Sequence, residues 1–212
     1  MKLRIPPGRA GRLWLRDRLE SARNATDLLD HKRRELEEEL RRVERITRQR
    51  ETEWRDAYAK AERWLARVDA TGASRSLRLA DTLQTGRAEV DLEWRSVMGV
   101  RYPTDFRLRF PTKPAVSALD GGAALAFALV AFREATEAAV AHATAETALS
   151  RIREDITRTI RRLRALELRI VPAHESALGA LELSLDEKDR EDAVSARWAA
   201  ESIHSPVGGV KP

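Results

Sequence analysis

The chain has 212 residues, 34% of them charged and only 5% aromatic, with a formal net charge of +5. So much charge and so few large core side chains argue against a bulky globule and for long helices with a narrow apolar seam. The absence of cysteine excludes disulfides and thiolate metal sites.

The opening residues, Met1-Lys2-Leu3-Arg4-Ile5-Pro6-Pro7-Gly8, carry no apolar stretch of signal-peptide type. Pro6 and Pro7 keep them out of a helix. From about Arg12 a heptad pattern begins. Leu15, Ala22, Leu29, Leu36, Val43, Arg50, Ala57 and Trp64 form one column, and Leu19, Thr26, Arg33, Leu40, Thr47, Trp54, Ala61 and Val68 the other. The alternating spacing of four and three predicts that the N-terminal segment, residues 1–71, is a coiled-coil helix from about Arg12 on, stopped by Gly72.

Residues 72–114 change character. A short helix is expected over residues 74–85, closed by Gly86. Alternation then takes over. Val90, Leu92 and Trp94 make one strand and Phe106, Leu108 and Phe110 another, joined through Met98-Gly99-Val100-Arg101-Tyr102-Pro103. Helical spacing returns over residues 115–203, with an alanine-rich first part that allows a neighbouring helix to come close. Pro172 lies inside this helix, removes one backbone hydrogen bond and should bend it. Residues 204–212 read as a disordered tail. The most apolar run, residues 121–132, is too short to span a bilayer.

The expected fold is dominated by α-helix. It is a long antiparallel two-helix coiled coil with a small middle insert of a short helix and a β-hairpin. The second helix is the longer and should overhang. No phosphate-binding loop or dinucleotide fingerprint is present. His31, His142, His174 and His204 form no pair at metal-ligand spacing, so neither a cofactor nor catalysis is expected. Arg9, Arg12, Arg16, Arg18 and Arg23 cluster at one end of the sequence, and Asp186, Glu187, Asp189, Glu191 and Asp192 at the other. An antiparallel coil sets these clusters side by side, and their mutual pairing accounts for them better than nucleic-acid binding does.

Three blocks carry a resemblance. Arg161-Arg162-Leu163-Arg164-Ala165-Leu166-Glu167, Pro172, and Leu185-Asp186-Glu187-Lys188-Asp189-Arg190-Glu191 follow one another without a gap. Residues 22–36 contain Leu28-Leu29 and Lys32-Arg33, and Gly99-Val100 with Pro103 stands in the middle. Together they resemble the D subunits of the V/A-type rotary ATPases, with Lys32, Arg33, Gly99, Arg161, Arg162, Leu166, Glu167, Pro172, Glu187, Arg190 and Glu191 as the matching signature. Ala25, Asp30 and Arg164 depart from that pattern.

The resemblance implies a non-catalytic central rotor stalk of a proton-translocating ATPase or ATP synthase. Such a protein is cytoplasmic and peripheral to the plasma membrane, without direct membrane insertion. Its paired ends enter the hexamer of A and B subunits, where Arg9, Arg12, Arg16, Asp186, Asp189 and Arg190 would form the bearing. The middle binds the F subunit and the socket subunit above the proteolipid ring, with Trp94, Met98 and Tyr102 as contact candidates. The alternatives are a coiled-coil adaptor or export-chaperone-like protein, and a basic coiled coil binding nucleic acid.

Overall fold

A computed structural model describes residues 4–72, 87–111 and 122–204. In chain order the elements are α1 (Gly8–Ala70), β1 (Glu89–Val97), β2 (Val100–Arg109), α2 (Gly122–Ala165), a π-helical segment (Leu166–Ile170) and α3 (Val171–His204). The expected short helix over residues 74–85 and the expected tail, apart from His204, lie outside the described residues. Two compact units emerge, one of Met1–His31 with Ile160–Pro212 and the other of Lys32–Thr159.

In the first unit, Leu15, Leu19 and Ala22 are buried along the seam of α1. Gly11 is buried too. A Cβ there would lie 2.0 Å from the Pro6 carbonyl oxygen, so only glycine lets residues 5–6 fold back over the helix. Against this part of α1 runs α3, antiparallel. Arg9 pairs with Asp189 at 3.4 Å, Arg16 with Glu182 at 2.7 Å and Arg23 with Glu175 at 2.7 Å. Each step is seven residues forward on α1 and seven back on α3, so one heptad register holds across all three pairs. Beyond the Arg9–Asp189 pair residues 190–200 are exposed throughout, as expected of an overhanging second helix.

Pro172 acts differently from the simple bend expected of it. The five residues Leu166–Ile170 are wound as a π-helix, and the Val171 N–H donates to the Leu166 carbonyl, five residues back. Helix continues on both sides. The proline has no N–H to offer its own turn, and a widened turn relieves the contact between its ring and the preceding carbonyls.

In the second unit the seam of α1 continues through Leu36, Val43, Ala61 and Val68, all buried. The facing residues come from α2, where Ala128, Ala131, Ala135, Ala145, Ala148, Leu149, Ile152 and Ile156 are buried. Val68 clusters with Leu125 and Ala128, and Ala61 with Ala131 and Ala135. Small side chains on α2 leave room for Trp64 and Phe132 to pack against these clusters. Buried Thr47 and Thr144 satisfy their hydroxyls on the carbonyls of Val43 and Val140, at 2.9 and 2.7 Å. Arg50 is the seam position that fails. It is exposed and reaches Glu53 at 2.9 Å, because removing a guanidinium from water costs more than the seam returns.

β1 and β2 form one antiparallel hairpin. The connection is shorter than the sequence suggests. Only Met98 and Gly99 turn, with φ of 49° and 78°, and residues 100–103 already belong to β2. Two successive residues at positive φ match the twist of the strands, so a two-residue turn suffices. Proline does not break β2, since each strand of a two-stranded ribbon has a free edge. The register slips between Glu93 and Trp94, placing Trp94 opposite Pro103.

Candidate functional site

The hairpin is held to the helices by a polar latch and by cation–aromatic contacts at Trp94. Tyr102 is only 1% exposed, and its hydroxyl donates to Glu39. The same carboxylate accepts from Arg42 through both Nε and Nη2. Arg42 therefore holds the Glu39 carboxyl below its ordinary value, with Tyr102 adding to the effect against the opposing cost of burial. Burial, and then the neighbouring Glu39 charge, push the Tyr102 phenol up. Beside the latch, two guanidiniums lie against the Trp94 ring, Arg101 at 5.1 Å and Arg151 at 4.9 Å from its centroid. Arg151 also donates to the Arg101 carbonyl oxygen at 3.3 Å.

These anchors sort the three contact candidates of the middle segment. Tyr102 faces inward, so its expected role as a contact gives way to one of packing and bonding. The reason is its place in β2, where the side chains of Val100 and Tyr102 share the face that meets the helices. Trp94 is 38% exposed and Met98, on the turn, 39%, so both present surface. Farther along the ribbon, Val90 stands opposite Leu108 and Leu92 opposite Phe106, an apolar face. An open cleft of about 600 Å³ separates Phe106 and Leu108 from Arg50 on α1 and Glu137 on α2.

The charged ends are arranged as pairs. Arg9, Arg16 and Asp189 are engaged with each other's helices, and every one of these side chains is more than half exposed. Arg12 is half-buried, with its Nε enclosed and lacking a hydrogen-bond partner. Asp186 is exposed, and Arg190 reaches Glu187 on its own helix at 3.4 Å. The carboxylates that meet Arg16 and Arg23, Glu182 and Glu175, went unnoticed in the sequence. Their signal was present: arginines and carboxylates spaced by seven on opposite ends of the chain.

The sequence pattern of the ATP synthase D-subunit family matches residues 13–201. The chain belongs to that family. It is 33% identical to the A-type ATP synthase D subunit of Methanopyrus kandleri, over 94% of this chain and 87% of the relative. To the V-type ATP synthase D subunit of Deinococcus radiodurans it is 31% identical, over 97% of this chain and 90% of the relative. The A-type ATP synthase D subunit of Archaeoglobus fulgidus is 30% identical, over 90% and 93%. Membership makes the chain a subunit of a rotary ATPase assembly.

The D-subunit signature has structural work to do at several positions. Lys32 pairs with Asp155 at 2.7 Å and ties α1 to α2 inside the second unit. Arg33 pairs with Glu37 one turn on, also at 2.7 Å. Gly99 supplies the positive φ of the hairpin turn. Leu166 opens the π-helical segment and Pro172 follows it. Arg161, Arg162, Glu167 and Glu191 are exposed or half-exposed. No helix among the described residues is long and apolar enough to cross a membrane.

Proposed function

We propose that the chain is the central stalk of a V/A-type, proton-translocating ATP synthase or ATPase, turning as one shaft and carrying no catalytic residue. Its paired ends, α1 with α3, sit within the hexamer of A and B subunits. Its hairpin region meets the F subunit and the socket subunit above the proteolipid ring. The observation that carries this reading is the surface of the first unit. The three pairs joining its helices lie in water, and residues 186–200 extend as helix with every side chain exposed. A shaft must slide past its sleeve, and exposed charged contacts worth at most about 1 kcal/mol each are made and broken without stalling it. Torque arises when successive rotor angles favour different states of the surrounding subunits, since contacts shift an equilibrium only by their differential strength.

The test is rotation. The chain has no cysteine, so Met98→Cys gives a unique attachment point on the hairpin turn. With the hexamer fixed to a surface, ATP should drive unidirectional rotation of a bead on that cysteine. Continued hydrolysis under a stationary bead would rule out the shaft.

A further inference from the structure

Between α1 and the start of α3 lies an open groove of about 800 Å³, floored by Trp14, Ile170 and Ala173 and rimmed by Arg18 and Arg169. We propose that this groove receives a protein loop carrying a carboxylate beside an apolar side chain, contributed by the A or B subunits around the stalk. The proposal rests on the stalk reading and adds to it a specific docking point, away from the charged tip.

Three observations support it. The first is how the groove is built. It opens where the π-helical segment Leu166–Ile170 hands over to α3. Its wall is fixed. The His174 ring donates from Nδ1 to the Ile170 carbonyl oxygen at 2.7 Å and stacks on Trp14 with centroids 6.4 Å apart. π-Turns inside α-helices recur at functional sites because they re-aim side chains that a regular helix would hold elsewhere.

The second is charge. Arg9, Arg16 and Arg23 are each spent on a carboxylate of α3. Arg18 stands outside that ladder. Its guanidinium lies over the Trp14 ring at 5.4 Å, and it has no ion pair among the described residues. Arg169 is exposed and likewise has none. No carboxylate lines the groove. Two uncompensated guanidiniums over an apolar floor fit an occupant that brings both negative charge and apolar surface.

The third concerns the class of occupant. Exposed Asp17 and Glu20 stand on either side of Arg18 along α1. They would repel a run of phosphates but leave room for a single acidic loop.

The experiment uses the assembled complex with Ser21→Cys, at a position that lines the groove, labelled with benzophenone maleimide; the new thiol is the only one in the chain. Photolysis should yield an adduct with one peptide of A or B that contains Asp or Glu next to an apolar residue. Arg18→Glu with Arg169→Glu should lower the yield about tenfold, the loss expected of two ion pairs of ordinary strength. Lysine at both positions should largely retain it, and Lys188→Glu with Arg197→Glu should leave it unchanged. Should the charge-reversed chain fail to assemble, Arg18→Gln with Arg169→Gln provides the same comparison.

Adducts confined to this chain, including residues 205–212, or to a second copy of it, would overturn the proposal. So would a yield indifferent to the groove's charge, or one suppressed by added RNA. Rotation of the Met98→Cys label is read separately. A rotating stalk without the adduct removes only the groove, and an adduct on a stationary chain removes only the stalk.

Discussion

Replacing Tyr102 with phenylalanine should loosen the hairpin while leaving the helices as they are. A two-stranded ribbon is marginal in water alone, so its order depends on its anchors. The Tyr102 hydroxyl donates to Glu39, a carboxylate held by Arg42 and therefore ionised near neutral pH. Hydrogen bonds to charged groups contribute about 1.5–3 kcal/mol. The loss here belongs at the low end, about 1.5 kcal/mol, because Glu39 keeps its bonds from both Arg42 donors and the ring still fills its site. About 1.4 kcal/mol is a factor of ten in an equilibrium constant. Amide hydrogen exchange in Glu89–Val97 and Val100–Arg109 should therefore accelerate about tenfold, provided the ribbon opens locally. Amides around Ala61 and Ala131, in a separate cluster, should keep their protection. Unchanged ribbon protection would refute the latch. Equal acceleration in ribbon and helices would refute the local opening, showing that the unit unfolds as a whole.

Three further outcomes follow from the same geometry. Ile152→Ala, at a fully buried position, should lower stability in urea by about 3 kcal/mol through lost burial and a residual cavity. Arg16→Ala should cost less than about 1 kcal/mol despite a 2.7 Å pair, since both partners are exposed, and its effect should fade in high salt. The pH dependence of hairpin protection should be flat at neutral pH and fall on both sides. With the folded Glu39 value lowered, protection is present above the ordinary carboxylate range and is lost as pH falls through it to the lowered value. With the folded Tyr102 value raised, protection is present below the ordinary phenol range and is lost as pH rises through it. Exchange rates across the pH range, corrected for intrinsic chemistry, check both limbs.

Heptad spacing alone marked the seam of α1, and burial follows it from Leu15 to Val68 except at Arg50. It could do so because a residue's place on a helix face depends only on its distance along the chain. The alternation at Val90-Leu92 and Phe106-Leu108 likewise located both strands, and the D-subunit signature named the family. Other features depend on groups far apart in sequence. Nothing near Tyr102 announces Glu39, 63 positions earlier, so the inward turn of that side chain had to come from packing. The two-residue turn at Met98-Gly99 set the strand lengths, through positive φ values that glycine allows but methionine alone does not signal. Pro172 advertised a disturbance of the helix. Its resolution as a π-segment required the neighbouring carbonyls to find donors in three dimensions. The arginine clusters gave composition and sign. The register of α1 against α3 decided that Arg9, Arg16 and Arg23 would be paired and that Arg18 would stand apart over Trp14. Periodic sequence fixes which face a side chain takes, but its partner is chosen only when another helix arrives with its own charges in register.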